Sequence, residues 1–147
     1  MNRLLMTHSS QKPTFTLFAA LILFILFSAC GPNHEKSQLH LRKGIELVFQ
    51  AKHSEALTEF DKAVDFDGSS FEAYYYRGAC KRNLKDNEGA MADYKKAVEL
   101  KPDYAEAHFG LGQLYDYFQD RQMACYHYLK AEALGLPNVG DYTRWCK

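Results

Sequence analysis

The sequence predicts an all-α fold, an α-solenoid of three helix pairs followed by a short C-terminal capping helix. One observation is a period of 34. Gly44, Gly78 and Gly112 share it, as do Ala56, Ala90 and Ala124, then Ala63, Ala97 and Ala131. Phe60, Tyr94 and Tyr128 add an aromatic at the same spacing. Four in-phase positions across three units mark a structural repeat. A second observation is helical amphipathicity. Ala56, Phe60, Ala63 and Val64 fall at i, i+4, i+7 and i+8, one face of a helix, and Ala90, Tyr94, Ala97 and Val98 repeat them. No stretch shows the sustained alternation that marks a strand.

The first thirty residues stand apart from this pattern. Met1–Pro13 carries Arg3 and Lys12 and no acidic residue, and Phe15–Phe27 is almost wholly apolar. A basic start, a short apolar core and the small residues Ser28-Ala29 describe a secretory signal peptide over residues 1–29, removed on export. At about 1.5 Å per residue the apolar core spans roughly 20 Å, short of the ~30 Å a bilayer core requires, which favours cleavage over a transmembrane anchor. Residues 31–36 read as a polar tether.

The helices are expected at about 39–50, 54–66, 71–84, 88–100, 105–118 and 121–134. Ser69 with Glu72, and Asp103 with Glu106, read as capping boxes, and Pro102 stops the helix before it. Gly135-Leu136-Pro137 breaks the last long helix. Residues 139–147 then form a cap, with Tyr142 and Trp145 expected to face inward. Of the three consecutive tyrosines, Tyr74 is expected in the core, Tyr75 facing a groove and Tyr76 between them, because neighbours on a helix diverge by about 100°.

Composition narrows the function. Lys+Arg and Asp+Glu are 18 each, so the formal net charge is zero, which argues against a nucleic-acid partner. Beyond residue 29 the balance is slightly acidic, and the aromatics outnumber Val, Ile and Leu together. The folding part therefore packs around aromatic rings. Cys80, Cys125 and Cys146 can all be buried free thiols; in an exported protein Cys125 and Cys146 can instead bridge and staple the cap to the last long helix. His108, His127, Cys80 and Cys125 are candidate nucleophiles and bases, yet no catalytic motif orients them, and Cys125-x-His127 is a weak metal signal. We expect no enzyme, no metal, no cofactor and no small-molecule substrate.

Two family resemblances add to this reading. Phe27-Ser28-Ala29-Cys30 resembles the lipobox of bacterial lipoproteins, in which the Cys is lipidated and becomes the new N-terminus; Phe27 departs from the usual Leu. The resemblance implies an envelope protein held by lipidated Cys30. With Gly31 rather than Asp after the Cys, it implies the outer membrane facing the periplasm. The 34-residue pattern resembles the tetratricopeptide repeat (TPR), with units at 37–70, 71–104 and 105–138. The middle unit matches best through Tyr74, Gly78, Ala90, Tyr94, Ala97 and Pro102. Lys43 and Arg77 stand where the family has Leu, and Gly68 and Leu136 where it has Pro.

What the TPR resemblance implies is a concave groove that binds a partner protein or peptide. Carried over by position, its walls are Gln38, Leu41, Ile45, Val48 and Phe49, then Glu72, Tyr75, Ala79, Arg82 and Asn83, then Glu106, Phe109, Gln113, Asp116 and Tyr117. The wall is apolar at one end and mixed and acidic at the other. Some members grip a chaperone's C-terminal carboxylate with Lys, Asn and Arg. The corresponding positions hold Leu41, Ile45, Tyr76, Glu106 and Gly110, so that clamp is absent and a peptide with apolar anchors fits better. Alternatives by resemblance are an assembly factor or pilotin for an outer-membrane machine, or an accessory activator of a cell-wall enzyme.

Overall fold

The structure is a computed structural model that describes residues 32–146. Residues 1–29, expected to be a signal peptide, and Cys30 lie outside the described residues. Seven helices follow one another among the described residues, with no strand: α1 (Pro32–Phe49), α2 (His53–Phe66), α3 (Phe71–Asn83), α4 (Asn87–Leu100), α5 (Ala105–Tyr117), α6 (Arg121–Ala133) and the short α7 (Gly140–Thr143). The fold is an all-helical solenoid of three antiparallel pairs with a terminal helix.

Each pair is built on a ring laid against a glycine. Phe60, Tyr94 and Tyr128 are fully buried, and a Cβ on Gly44 or Gly112 would come within 2.5 Å of the ring opposite. At Gly78 the distance to the Tyr94 ring is 3.0 Å. Tyr94 also meets the next pair, since a Cβ on Gly110 would lie 2.8 Å from the other edge of its ring. The buried alanines at 56, 90 and 124 and at 63, 97 and 131 complete the close approach. In the first pair Phe60 instead stacks on Tyr76 of α3, with centroids 5.7 Å apart.

The positions that depart from the repeat pattern are filled by polar pairs in the same register. Glu59, Asp93 and His127 are spaced by 34 and all buried. Glu59 accepts from His40 at 2.7 Å, Lys43 at 3.2 Å and Lys62 at 3.0 Å. Asp93 takes a two-pronged bond from Arg77 (2.9 and 2.6 Å) and an ion pair from Lys81 at 2.8 Å. Arg77 also reaches Asp61 of the preceding pair at 3.2 Å. Lys43 and Arg77 thus replace an apolar contact by a charge-assisted one whose partner is present, the condition under which a buried charge is tolerated.

The turns inside the pairs share a backbone shape. Ala51, Lys85 and Gln119, again 34 apart, take positive φ (57°, 71° and 61°). After two of them, Asp86 and Asp120 cap the next helix, accepting from the backbone N–H of Gly89 and Met123.

Several expectations are corrected. α1 begins at Pro32 rather than near residue 39, so most of the expected tether is helical. Contacts from the end of α2 hold it: His34 bonds Asp67 at 2.8 Å, Lys36 lies over the Phe66 ring and Ser37 donates to the Ala63 carbonyl at 2.7 Å. The cap of α3 is Ser70, not Ser69, whose N–H and hydroxyl bond Asp67 instead. Tyr104, not Asp103, stands at the start of α5 with no side-chain cap. Tyr74 is only half-buried, beneath Arg77, whereas Tyr76 packs on the first core cluster. Trp145 faces outward at 49% exposure, against Arg121; the cap buries Val139 and Thr143 instead.

A prediction follows from the ring–glycine contacts. Gly44→Ala and Gly112→Ala should each cost about 1–3 kcal/mol in urea unfolding, because a fully buried ring cannot retreat. Gly78→Ala should cost clearly less, since its contact is looser and alanine regains up to ~1 kcal/mol of helix propensity.

Candidate functional site

The first helices of the three pairs, α1, α3 and α5, carry the expected groove positions in register. Leu41 is not one of them. It is 5% exposed, in a core cluster with Ala56, Phe60 and Ala63. Ile45 and Val48 are half-buried against that cluster, and Phe49 stands at the end of α1 at 87% exposure. Of the expected wall positions on α1, Phe49 alone is apolar and exposed.

Of the expected positions on α3 and α5, Tyr75, Arg82, Glu106, Phe109, Gln113 and Tyr117 divide between two clefts, and Glu72, Ala79, Asn83 and Asp116 line neither. The larger, about 550 Å³, lies where α3, α4 and α5 meet and is lined by Arg82, Lys85, Asn87, Gln113, Leu114 and Tyr117. A guanidinium N–H of Arg82 donates to the Gln113 side-chain oxygen, bridging α3 to α5 across it. Asp116 is half-buried and lines neither cleft; burial first, then its negative charge, raise the Tyr128 hydroxyl to about 12.

The second cleft, about 410 Å³, is aromatic. Tyr75 of α3 and Phe109 of α5 form its walls with Glu106, and it is closed by Leu136, Pro137 and Asn138 of the α6–α7 loop with Tyr142 of α7. Tyr75 is fixed by neighbouring rings, at 5.6 Å from Tyr94 and 5.1 Å from Tyr104. Burial, then the Glu106 charge, raise its hydroxyl pKa. Phe109 meets Tyr128 at 5.6 Å and Tyr142 edge-on at 5.0 Å. Tyr75 and Phe109 thus come together, whereas Arg82, Gln113 and Tyr117 belong to the other cleft.

Sequence reasoning missed the loop residues. They enter because the cap folds back onto α6: Cys125 and Cys146 form a disulfide with Cα atoms 5.3 Å apart, and Thr143 donates to Glu132 at 3.0 Å. The available signal was Gly135 and Asn138, which take φ of 87° and 62° and turn the chain back.

The histidines and cysteines have structural surroundings. Cys80 is buried, and desolvation pushes its thiol up to about 11, away from nucleophilic use. His108 Nε2 lies 3.0 Å from the Pro102 carbonyl, which can only accept, so that nitrogen carries the proton. The Nδ1 of neutral His108 then accepts from His127 Nδ1–H at 3.0 Å. Among the described residues, no group of three His, Cys, Asp or Glu side chains is disposed to hold a metal.

A family model described as TPR repeat matches residues 81–116. The chain is 33% identical over 85 residues to DnaJ homolog subfamily C member 3 of Bos taurus, a stretch covering 58% of this chain and 17% of that protein. It is 33% identical over 76 residues to the protein STIP1 homolog of Dictyostelium discoideum, covering 52% and 14%. The chain thus spans under a fifth of these relatives' length. Among solved structures, the first TPR of Spaghetti (RPAP3) bound to the HSP90 peptide SRMEEVD superposes with a TM-score of 0.72 at 24% identity, covering 76% of this chain and 90% of that one. The Arabidopsis OM64 TPR domain gives 0.73 at 18% identity, covering 78% and 95%. These likenesses show the fold, a TPR-like solenoid.

The buried histidines predict a pH dependence. Burial lowers the pKa of His127 to about 4, and that of His108 falls for the same reason. The unfolded chain, with imidazoles near 6.5, binds more protons below that pH, so stability is full above about 6.5 and lost as the pH falls toward 4. Glu59 is held at about 2, chiefly by the His40 hydrogen bond, so its stabilisation is present above about 4.5 and lost only below it. Urea midpoints should fall between pH 7 and 5, and His127→Gln should flatten that slope.

Proposed function

We propose that the protein is a non-catalytic interaction module that holds a partner protein or peptide on its concave face, tethered to the bacterial envelope by lipidated Cys30. In this reading residues 1–29 are removed, the TPR units run 37–70, 71–104 and 105–138, and the lipid places the domain on the outer membrane facing the periplasm. The observation that carries the interaction role is the Tyr75–Phe109–Tyr142 cleft, whose walls pack on the buried rings of Tyr94 and Tyr128 and which is open to solvent. Its aromatic walls supply contact area at low entropic cost, as binding surfaces generally do. The RPAP3 domain of the same fold is described as bound to a peptide, which supports the same use here. Leu41, Ile45, Tyr76, Glu106 and Gly110 offer no cation where some TPR domains clamp a carboxylate, so the peptide chemistry differs. The apolar run before Ser28-Ala29-Cys30 supports the tether.

Two tests are separate. Phe109→Ala and Tyr142→Ala should each weaken partner capture at least about tenfold, on the order of 1.4 kcal/mol, with circular dichroism unchanged; capture surviving both changes rejects the cleft. Cys30→Ser should abolish incorporation of labelled palmitate and release the chain from the membrane pellet. Labelling that persists rejects the lipid anchor.

A further inference from the structure

The cleft beside the cap has a charge character of its own. Of the residues lining it, Glu106 alone is charged; it is exposed and makes no ion pair among the described residues. Glu72 sits one repeat earlier in the same register, likewise without an ion pair among the described residues. Tyr104, which packs on Tyr75 behind the cleft, has its hydroxyl pKa raised by burial first, then by Tyr75 and Glu106, with Glu72 adding to them. Arg82, an expected groove position on α3, is engaged by Gln113 at the other cleft rather than by Glu106. The aromatic edge next to it already carries an ammonium. Lys101 lies 4.5 Å from the Phe71 centroid and 5.6 Å from that of Tyr104, which itself packs on Tyr75.

We propose that this cleft takes a segment of a partner protein in which an apolar side chain stands within two residues of a lysine or arginine. The apolar group seats between Tyr75, Phe109 and Tyr142. The cation pairs with Glu106 and lies over the exposed face of an aromatic ring, which attracts positive charge. A volume of about 410 Å³ accommodates one or two side chains rather than a folded element. An acidic segment or a free chain terminus bearing a carboxylate is repelled by Glu106 and Glu72. This rests on the groove reading above and adds the sign of the partner's charge.

The test is selection of a random linear dodecapeptide library on the full chain, followed by titration of the enriched peptides as synthetic amides. Enriched sequences should pair Leu, Ile, Met or Phe with a nearby Lys or Arg. Their affinity should drop on the order of tenfold or more in Glu106→Lys, less in Glu106→Gln, and fall as salt rises from 50 to 500 mM. Glu106 is exposed, so both variants should keep the wild-type circular dichroism. Peptides that are acidic or uncharged, or that ignore Glu106→Lys while losing binding in Phe109→Ala, overturn the charge assignment and leave the groove standing. Absence of enrichment, or binding indifferent to Phe109→Ala, overturns both.

Discussion

The contact on which the rest of the structure depends is a buried aromatic ring pressed against a glycine of the paired helix. Phe60 on Gly44, Tyr94 on Gly78 and Tyr128 on Gly112 set how closely each pair approaches. Because the contact recurs every 34 residues, the three pairs are built alike and the first helices carry equivalent positions in sequence register. Tyr94 does this twice, lying between Gly78 of its own pair and Gly110 of the next, so one ring sets spacing both within a pair and between pairs. The aromatic cleft depends on the same framework: Tyr75 leans on Tyr94, and Phe109 on Tyr128.

A solenoid poor in aliphatic residues needs other means of fixing its pairs. The buried groups at 59, 93 and 127 supply them as Glu59 with His40 and Lys43, Asp93 with Arg77 and Lys81, and His127 with His108. These are directional where a leucine contact would not be, and removing one partner leaves the other buried and unpaired, which costs more than the pair itself contributes. The third pair is uncharged in the native state, which makes it the unit most sensitive to mild acid.

The fold was legible because its cause is periodic: a repeated glycine, two repeated alanines and a repeated ring are visible without coordinates. What was not legible is what depends on the angle of one side chain or on contacts distant in sequence. Leu41 turned inward because Ala56 and Phe60 needed a lid, a matter of a fraction of a turn along α1. Ser70 rather than Ser69 caps α3 because Asp67 takes up Ser69. The early start of α1 rests on Asp67, Phe66 and Ala63, about one repeat away. The loop wall of the cleft exists only once the cap has folded back through Cys146 and Thr143; Tyr142 was expected to turn inward, but no local pattern announces that Leu136 and Pro137 will line a cleft with Phe109.

The most direct measurement of the central claim, that the Tyr75–Phe109–Tyr142 cleft is the partner-binding face, is site-specific photo-crosslinking in cells expressing the full chain. A photoreactive phenylalanine analogue is placed at Phe109, at Tyr142 and, as a control outside the cleft, at Tyr126 on α6, which is 57% exposed. The account predicts a discrete crosslinked protein species from Phe109 and Tyr142 and none from Tyr126. Crosslinks arising from Tyr126 alone, with the cleft positions silent, would contradict it.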